Sequence, residues 1–486
     1  ELLKHTYFIT LDDELSLLPN IDINIKQGNS LISDYSLDCK FDKLFEFDTF
    51  NNYKSLITQY KNPKNDRVDL SYKIDEIKYL INQNYENRNK FEWRYEFPEV
   101  LDDDGKFIGF DVIIGNPPYI TFLSDSKEIN DDEISYFKKN YPLSSVYKMN
   151  SYLIFIDKSL QLISKKGLLS FIIPNTIYTN HFYSTFRKHL IDNYAIYSLH
   201  NLKYEAFEDA TVGGYSIMLL GKNINETTSL NLISDETKFF VPNKFKIKQK
   251  EFKRLPDNKF LFSDTLILLW NKCFENSDYL GNKNFKFYQG IVTGDNKRFL
   301  NDKRLDERYY PIVRGRNFYK YTPTLYEKYV LFEPELLHSN SNKSMFNVKE
   351  KLIIRQTSNH LVATYDDNQM FSLDSTHILF DISDKYNHKY LLALINSKLL
   401  NFLYQIIVPE IGKAFSQVKG VNLKKLPIKY ISENKQLEFV VIVDKILKVK
   451  KEDIAADIQY LENKIDQMVY ELYGLTEEEI EIVENS

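Results

Sequence analysis

A short apolar run that ends at two prolines constrains the fold of this chain more than any other feature of its sequence. Residues 110–115 are Phe-Asp-Val-Ile-Ile-Gly, and Pro117 and Pro118 follow shortly after. Such a run predicts a buried strand that stops abruptly. Apolar residues at helical spacing follow over residues 152–163, and a second apolar run over residues 168–173 ends at another proline. A strand, a crossover helix and a second strand form a βαβ unit, which predicts a parallel sheet.

The rest of the first 250 residues continues this alternation of strands and helices. Stop signals for the crossover helix lie at residues 165–167, which are Lys-Lys-Gly. The patterns that follow predict a helix over residues 182–191, a strand over 195–202 and a further strand over 215–220, for which an antiparallel edge position is suitable. Residues 120–148 are polar, acidic and rich in turn formers, so they predict a long loop that is functional or mobile.

The composition is that of a folded protein from a reducing compartment. Of the 486 residues, 43% are hydrophobic and 27% are charged, and the formal net charge is −5, which fits two or three globular domains. Two cysteines, Cys39 and Cys273, are too few for a disulfide framework or a CxxC-type zinc site. The sequence shows no signal-peptide pattern and no apolar run of about 18 residues. It also contains no cluster of His, Cys and carboxylate residues with the spacing of metal ligands. We therefore expect a cytoplasmic protein that needs neither a metal nor a membrane.

The pattern changes beyond about residue 280. Short runs rich in Tyr, Phe and Val, separated by glycines, predict an α+β domain over residues 280–430, in which residues 390–404 form one helix. An apolar seam over residues 454–472 predicts a helix that packs in a terminal hairpin. The predicted domains are residues 1–250, 280–430 and a helical tail over 434–486.

Charge is distributed unevenly between these regions. Residues 285–430 contain 22 Lys and Arg against 14 Asp and Glu, a net charge of +8, whereas residues 431–486 have a net charge of −8. A basic region within an acidic chain is typical of a protein that binds a polyanion such as DNA. Ordinary surface scatter explains the same numbers equally well, so charge alone leaves the two interpretations open.

The tetrapeptide after the first buried strand, Asn116-Pro117-Pro118-Tyr119, carries the most specific chemistry. Reactive groups of open α/β sheets collect at the carboxyl ends of parallel strands, where these residues fall. The side-chain amide oxygen of Asn116 and the carbonyl oxygen of Pro117 can accept hydrogen bonds from the two N–H groups of an exocyclic amine, which makes its lone pair available for attack on a methyl donor. The prolines fix these acceptors in advance, and Tyr119 offers a ring face for a base. The alternative is a Pro-Pro turn that merely ends a strand.

The motif and its surroundings resemble the amino-group DNA methyltransferases, in particular the adenine-N6 branch of type II and type IIG restriction–modification enzymes and related phage-defence proteins. Residues 97–100, 109–119, 147–153 and 167–174 carry the likeness. It implies a class I (Rossmann-like) α/β methyltransferase sheet and methyl transfer from S-adenosylmethionine to adenine N6 in duplex DNA, with the base extruded. Transfer to cytosine N4 is the closest competing reaction, and Asn rather than Ser at the first motif position favours adenine.

The same resemblance assigns two further residues. Residues 24–31 are similar to the segment that contacts the adenine ring of S-adenosylmethionine, which implies that Asn29 lies near that ring. Residues 205–209 are similar to the block that supplies a second aromatic side chain, so Phe207 would hold the extruded base against Tyr119. A plain Asx-turn is the alternative for Asn29, and an ordinary core aromatic is the alternative for Phe207.

One departure from the family affects the donor site. The glycine-rich loop that holds the methionine part of the donor is absent, as no G-x-G occurs in the chain, and so is the acidic residue that binds the ribose. We therefore expect the sheet to be incomplete on its N-terminal side, with an upstream segment or a partner subunit supplying the missing part. A non-catalytic DNA-recognition module is the alternative. In a third interpretation the protein is a bifunctional restriction–modification protein whose nuclease lies further upstream. No nuclease Asp…Glu-x-Lys motif is found here, so we expect that this chain alone does not cut DNA.

Residues 287–299 and 311–316 resemble a TaqI-like target-recognition domain that binds double-stranded DNA. Its glycines would let the main chain approach DNA closely. The cations that we expect to neutralise phosphates or to contact guanine are Lys297, Arg298, Arg314, Arg316 and Lys413. For any single one of them an ordinary surface cation is the favoured interpretation, whereas the group as a whole favours DNA. His377 is predicted to be a structural histidine.

Overall fold

The computed structural model describes residues 22–33, 37, 47–62, 65–83, 91–122, 129–202, 214–224, 226–233, 245–381, 383–408 and 417–485. The chain divides into two compact units. The first comprises Glu1–Lys253 with Asp257–Asp264, and the second comprises Arg254–Pro256 with Thr265–Ser486. The helices after residue 433, predicted above as a separate tail, fall within the second unit.

The first unit alternates helices and strands. Its described elements are α1 (Phe47–Lys61), α2 (Arg67–Gln83), α3 (Trp93–Glu96), β1 (Phe110–Gly115), α4 (Asp131–Asn140), α5 (Ser151–Leu162), β2 (Ile163–Pro174), α6 (Thr176–Thr179), α7 (Ser184–Asn193), β3 (Ala195–Leu202), β4 (Tyr215–Gly221), β5 (Thr227–Ile233) and β6 (Phe245–Lys248). α5 packs on β2 and α7 packs on β3, while α1 and α2 pack on each other.

A six-stranded mixed sheet with the strand order β1-β2-β4-β3-β5-β6 forms the centre of this unit. β1 and β2 are parallel, with Gly115 opposite Phe171, so the predicted βαβ unit is confirmed. β3 and β5 are also parallel. β4 is antiparallel to both β2 and β3, and β6 is antiparallel to β5. Among the described strands, β1 therefore lies at one edge of the sheet.

The strand over residues 215–220 is antiparallel as expected, but its predicted edge position is wrong. β4 lies between β2 and β3. Its residues Tyr215, Met218 and Leu220 are almost fully buried. A strand that is apolar on both of its faces is stabilised by neighbours that cover both of them, which a position inside the sheet provides.

The crossover helix is confirmed, but its predicted end at residues 165–167 is wrong. α5 ends at Leu162, and β2 begins at the next residue. The two lysines of that segment are exposed and lie within β2, where the register between β1 and β2 shifts between Phe110 and Val112. A strand irregularity thus accommodates the polar residues that resemble a helix stop.

The predicted loop over residues 120–148 contains a helix, so that prediction is wrong for residues 131–140. α4 spans Asp131–Asn140 and begins with a capping box, in which the side chains of Asn130 and Glu133 accept each other's backbone N–H groups. Acidic residues in its first turn and lysines in its last turn stabilise it through the helix dipole. Residues 123–128 lie outside the described part of the chain.

The second unit combines short strands with helices, as predicted for an α+β region. Its described elements are α8 (Asp264–Phe274), β7 (Ser277–Tyr279), β8 (Phe285–Gln289), α9 (Asn296–Phe299), β9 (Leu300–Asn301), β10 (Tyr309–Val313), β11 (Lys328–Leu331), β12 (Lys351–Arg355), β13 (Ala363–Asp366), β14 (Phe371–Ser372), β15 (Thr376–Asp381), α10 (His388–Asn396), α11 (Lys398–Ile407), α12 (Gly420–Leu423), β16 (Pro427–Lys429), α13 (Glu433–Glu452), α14 (Gln459–Tyr473) and α15 (Glu477–Glu484).

Two four-stranded sheets enclose the core of this unit. Their strand orders are β14-β10-β11-β9 and β13-β12-β15-β8. Between them lies an apolar cluster that includes Phe299, Val330, Phe346, Phe371 and Ile378. A fully buried ion pair joins β12 and β13 of the second sheet. In it, Lys351 Nζ lies 2.5 Å from Asp366 Oδ2.

The single helix predicted over residues 390–404 is two helices, α10 and α11, separated at Ser397. The Ser397 hydroxyl donates to the Leu394 carbonyl at the end of α10 and accepts from the Leu400 N–H at the start of α11. One serine thus ends one helix and begins the next. In the part of the chain that is described, no single helix is long and apolar enough to cross a membrane, although α10 and α11 meet that criterion together, with a 65° bend.

The apolar seam predicted over residues 454–472 is only partly helical. α13 ends at Glu452 and α14 begins at Gln459, so the first members of the seam, Ile454 and Ile458, precede the helix. The side chain of Lys450 donates to the carbonyls of Ile454 and Ala456 and thereby closes this connection. α13 and α14 pack on each other, as the predicted terminal hairpin requires.

Candidate active site at the carboxyl end of strand β1

Asn116, Pro117, Pro118 and Tyr119 follow β1 directly, at the carboxyl end of the parallel pair that β1 forms with β2. Asn116 and Pro118 are exposed, Pro117 is buried and Tyr119 is half-buried. We call these four residues the corner. Its position at the end of a parallel strand, with its amide side chain in solvent, is the one expected for a group that meets a substrate.

Ser151 fixes the corner to the first turn of α5. Its hydroxyl donates to the Pro118 carbonyl at 2.5 Å and accepts from the Ile120 N–H at 3.0 Å. Its own N–H donates to the Ile120 carbonyl at 2.9 Å, and the Phe122 N–H donates to the Met149 carbonyl at 2.8 Å. These bonds hold the backbone after the motif in one conformation. The sequence did not single out Ser151, although a serine at the start of the crossover helix was a possible signal.

The Tyr119 hydroxyl lies within hydrogen-bond distance of two acceptors, the Asn116 side-chain oxygen and the Ile172 carbonyl, the latter at 3.1 Å. Its ring contacts Tyr152 edge-on at a centroid distance of 6.4 Å and Tyr215 at 6.3 Å. Burial, with a smaller contribution from Tyr215, raises the pKa of Tyr119 to about 12. The phenol is therefore a neutral donor at physiological pH that orients the Asn116 amide.

Two acceptors remain available at the corner. A carbonyl-type oxygen has two lone pairs, so Asn116 Oδ1 can accept a second hydrogen bond beside that from Tyr119. Among the described residues, no donor makes a hydrogen bond to the Pro117 carbonyl. The corner thus presents one side-chain acceptor and one main-chain acceptor on consecutive residues.

A cavity of about 470 Å³ adjoins the corner. Its lining residues are Ser30, Trp93, Phe110, Val112, Ile113, Ile114, Gly115, Asn116, Pro117, Pro118, Phe155, Lys158, Ser159, Leu162 and Phe171. Mostly apolar walls with a few polar groups are typical of a small-molecule site of this size. The aromatic walls and Asn116 suit the adenosine end of a methyl donor, but the lining contains no carboxylate for a ribose and no glycine-rich loop.

Lys158 is the one charged side chain in the lining of this cavity. It is only 5% exposed. Burial lowers its pKa to about 8, against the opposing effect of the Glu92 carboxylate. In the described part of the chain, no carboxylate lies within 4.0 Å of its ammonium group. The cavity therefore contains a cation that folding has desolvated.

Asn29 lies next to the cavity and is exposed. Its side-chain oxygen accepts from the Leu31 N–H at 3.2 Å, which is the Asx-turn considered as the alternative interpretation. Its side-chain nitrogen donates to Glu133 at 3.4 Å. The neighbouring Ser30 lines the cavity, and its carbonyl accepts from the Trp93 indole N–H at 2.9 Å. The turn brings this segment to the cavity, while a contact of Asn29 with a cofactor stays a prediction.

β1 has one edge without a partner among the described strands. Val112 is 62% exposed and Ile114 is 80% exposed. An apolar, β-branched strand is typical of the interior of a parallel sheet, whereas natural edge strands carry charges, prolines or bulges that prevent pairing. The sequence of β1 is thus that of a central strand, although the described sheet places it at an edge.

The predicted DNA-contacting cations differ in their surroundings. Lys297 and Arg298 are exposed in the short helix α9, whose first turn is capped by Asp295. Arg314 is half-buried. These three make no ion pair within the described residues, but Arg316 pairs with Glu327 at 2.6 Å. Phe207 and Lys413 lie outside the described part of the chain.

Two of the glycines that were expected to approach DNA instead approach the protein backbone. A β-carbon at Gly290 would lie 2.1 Å from the Leu373 carbonyl oxygen, and one at Gly315 would lie 2.8 Å from the Ser375 carbonyl oxygen. Both positions need glycine because strands and loops of the second unit pack closely there. That expectation is wrong for these two residues.

Further polar residues have structural surroundings. Nε2 of the buried His377 lies 2.8 Å from the Val418 carbonyl, and burial lowers the pKa of the imidazole, as a structural histidine requires. Cys273 is buried, and burial raises the pKa of its thiol to about 12. No group of three or more metal-ligating side chains occurs among the residues that the structure describes.

Comparisons with known proteins match both units. Residues 16–207 match the family of Eco57I restriction-modification methylases, and residues 310–428 match the TaqI-like C-terminal specificity domain. The chain carries an Eco57I-type methylase domain and a TaqI-like specificity domain. The match to the methylase domain includes β1 and the corner, and the match to the specificity domain includes Arg314 and Arg316.

The curated relatives are type II restriction–modification proteins. A putative type II restriction enzyme and methyltransferase of Methanocaldococcus jannaschii is 29% identical over 80% of this chain and 33% of its own length. The type II methyltransferase M.BstVI of Geobacillus stearothermophilus is 31% identical over 25% of this chain and 19% of its own length. The chain thus spans a third or less of the length of these relatives. A solved type IIL restriction-modification enzyme, MmeI in complex with DNA, is 12% identical with a TM-score of 0.43, over 82% of this chain and 60% of that one.

Proposed function

We propose that this chain is the catalytic and target-recognition part of a site-specific DNA methyltransferase that transfers methyl from S-adenosylmethionine to adenine N6 in duplex DNA. It would act in a restriction–modification or phage-defence system of the type IIG kind. The observation that carries the proposal is the pair of acceptors at Asn116 and Pro117, held at the carboxyl end of β1 beside a cavity within a methylase domain.

The chemistry follows from the geometry of the corner. An exocyclic amine is a weak nucleophile because its lone pair is delocalised into the base. Asn116 Oδ1 and the Pro117 carbonyl would each accept one of its two N–H bonds, which favours a tetrahedral nitrogen with a free lone pair. The Tyr119 hydroxyl keeps the Asn116 oxygen turned towards the amine. S-adenosylmethionine supplies an electrophilic methyl group, and after transfer one amine proton leaves to solvent.

Base stacking at the corner belongs to the same proposal. Tyr119 is half-buried against Tyr152 and Tyr215, so its ring is held rigidly while part of it stays accessible. A rigid aromatic ring loses little entropy when a base stacks on it. The second aromatic side chain, Phe207, stays a sequence-based prediction.

The donor side of the proposed site needs further protein. The apolar edge of β1 that has no partner among the described strands, together with the cavity beside it, supports additional parallel strands from an upstream segment or a partner subunit. We propose that this addition brings the glycine-rich loop and the ribose-binding acid. Asn29 and Ser30, which border the cavity, would contribute to the adenine end of the donor.

Double-stranded DNA is the proposed partner of the second unit. Support comes from its match to a specificity domain and from the net charge of +8 over residues 285–430. Lys297, Arg298 and Arg314, which make no ion pairs within the described residues, are the proposed phosphate or base contacts.

The experiment that tests this function identifies the product. The chain is expressed with and without any coding sequence that precedes it in frame, then incubated with S-adenosylmethionine labelled in its methyl group and with unmethylated DNA. We expect labelled N6-methyladenine after digestion of the DNA to nucleosides. Labelled N4-methylcytosine would show that the base assignment is wrong, and label in neither nucleoside with the longer protein would contradict methyl transfer altogether.

A non-catalytic recognition module is the second candidate, favoured by the absence of a glycine-rich donor loop. Calorimetric titration of the chain alone with S-adenosylmethionine separates the two. A donor site in this chain would be supported if the chain binds S-adenosylmethionine, if Asn116→Ala leaves that binding intact, and if the bulky cavity substitution Ser159→Trp abolishes it. No binding, even to the longer protein, would favour the module.

A further inference from the structure

Two large aromatic side chains of the first unit form an exposed pair. The ring centroids of Tyr147 and Phe182 lie 4.7 Å apart, with their planes inclined by 49°. Tyr147 is 65% exposed and Phe182 is 44% exposed. The rings stabilise each other on one side and leave their outer faces in water. Exposed aromatic surface of this kind is costly to hydrate and is typical of a binding site.

This pair lies at the same end of the sheet as the corner. Tyr147 is two residues before Met149, whose carbonyl accepts from the Phe122 N–H just beyond the corner. On the other side, Phe182 adjoins Tyr183, whose ring contacts Tyr152 at 6.3 Å, and Tyr152 in turn contacts Tyr119. The pair is thus connected to the proposed base site through the backbone of residues 182–183 and two further ring contacts.

The backbone that carries the pair is held firmly. Asn180 accepts from the Phe182 N–H at 3.0 Å. The guanidinium of the fully buried Arg187 donates to the carbonyls of Asn180, Ile177 and Asp257, all within 2.9 Å. A buried cation that forms several hydrogen bonds to main-chain carbonyls rigidifies the segment. Phe182 therefore projects from a fixed support.

The Tyr147 side of the pair is strained and positively charged. Lys148 has a φ of 55°, in the left-handed region that costs a bulky residue energy. Its ammonium group lies 5.9 Å from the Tyr147 ring centroid, and it makes no ion pair among the described residues. On the other side, His181 contacts Phe182 and lies 3.1 Å from Asp257. The free cation beside the rings favours an anionic partner over an apolar protein surface.

We propose that Tyr147 and Phe182 form a stacking surface for an unpaired nucleobase of the DNA substrate, with Lys148 at the adjacent phosphate. The inference rests on the proposed function, because extrusion of a target base leaves the opposite base unpaired. Every base has a π-face that can stack on an aromatic ring regardless of sequence. The pair would thus stabilise the opened DNA without selecting the recognition sequence.

The test compares two single strands of equal length and charge, a short oligothymidylate and a strand of abasic residues only, by fluorescence anisotropy without a methyl donor. We expect the wild-type chain to bind the strand with bases about tenfold more tightly, since stacking contributes about that much per base. The double variant Tyr147→Ala/Phe182→Ala should lose most of this preference. Its affinity for the abasic strand should stay unchanged, because Lys148 is intact.

Two further variants separate stacking from structural damage. Tyr147→Phe/Phe182→Tyr keeps both rings and should keep the preference for bases. Tyr72→Ala/Tyr79→Ala removes two comparably exposed tyrosines from α2 and should also keep it. A double alanine variant at the pair that retains the full preference, or a wild-type chain without any preference, overturns the inference. Failure of methyl transfer leaves this donor-free measurement unaffected, so the two failures are distinguishable.

Discussion

The hydroxyl of Ser151 donates a hydrogen bond of 2.5 Å to the carbonyl of Pro118. This bond connects the first turn of α5 to the middle of the corner, and the same hydroxyl accepts from the N–H of Ile120. The two prolines restrict the dihedral angles of the corner, but they cannot fix where it points. Ser151 supplies that second constraint from a neighbouring element.

Ser151 is therefore expected to be a positioning residue. Ser151→Ala should lower kcat by about tenfold to a hundredfold and leave KM for DNA nearly unchanged, because a displaced acceptor pair still binds DNA but aligns the amine poorly. Steady-state kinetics separate the two parameters. Ser145→Ala, which removes a hydroxyl that donates to Phe137 away from the corner, is the control. A parallel rise in KM would assign Ser151 to binding instead.

Asn116→Ala should abolish most of the methyl transfer. Loss of one preorganised group that stabilises charge in a transition state lowers kcat by about a hundredfold to a thousandfold. DNA affinity should stay within about twofold, because the cations of the second unit are unchanged. Single-turnover methylation and anisotropy measure the two quantities. Asn140→Ala on the exposed face of α4 is the matched control, and an Asn116→Ala protein with normal turnover would refute the role of the corner.

Lys158 should make the stability of the first unit depend on pH. Its pKa in the folded protein, about 8, lies below the ordinary lysine pKa of 10.5 that it regains on unfolding. Below pH 8 both folded and unfolded states hold the proton, and the cost of burying the charge is fully present. Between these two values the unfolded state binds more protons, so the free energy of unfolding rises with pH, by about 3 kcal/mol in total.

The variant Lys158→Met isolates this effect. It should be more stable than the wild type at pH 7 by up to about 3 kcal/mol, and the difference should shrink towards pH 10. Urea unfolding at several pH values measures it. Lys165→Met, which changes an exposed lysine of β2, should show no such trend. A Lys158→Met difference that is independent of pH would mean that Lys158 stays protonated throughout.

Removing one partner of the buried ion pair between Lys351 and Asp366 should destabilise the second unit strongly, whereas replacing both partners by apolar residues should destabilise it little. Lys351 also donates to the Phe346 carbonyl, and Asp366 accepts from the Met370 N–H. Asp366→Ala leaves a buried ammonium without its partner and should destabilise the second unit by about 3–5 kcal/mol. The double variant Lys351→Met/Asp366→Leu should recover most of that loss. Thermal unfolding measures the stability of each variant. If the destabilisation by the two single changes adds up to that of the double variant, the two residues are not a coupled pair.

The cations of the second unit should differ in their effect on DNA binding. Lys297→Ala and Arg298→Ala should each reduce the slope of log K against log salt by about one, as expected when one phosphate contact is lost. Arg316→Ala should change the slope less, because Glu327 already pairs with Arg316. Titrations over a range of salt concentrations provide the slopes. Equal slopes for Arg298→Ala and the wild type would exclude a phosphate contact at that position.

Local patterns explain what could be predicted from the sequence. β1, α5 and β3 were predictable because each depends on the periodicity of its own residues and on adjacent turn formers. The pair of acceptors at the corner could be predicted for the same reason, because four consecutive residues contain both acceptors and the rigid backbone between them, while the chemistry of the corner stays a prediction.

Features that depend on distant residues could not be predicted. The position of β4 inside the sheet depends on its pairing with β2 and β3, which the sequence of β4 does not encode. The break between α10 and α11 depends on the rotamer of Ser397, because serine is tolerated inside helices as well as at their ends. The pairing of Tyr147 with Phe182 joins segments separated by α5, β2 and α6, so no local pattern indicates it.

The bare edge of β1 has a consequence for the handling of this protein. Among the described residues, the outer main-chain N–H and C=O groups of β1 have no strand partner, and together with Val112 and Ile114 they form a template to which an extended polypeptide can add. If nothing covers that edge, we expect two copies to pair there at high concentration. The tendency of the protein to self-associate would then be set by the six residues of a single strand.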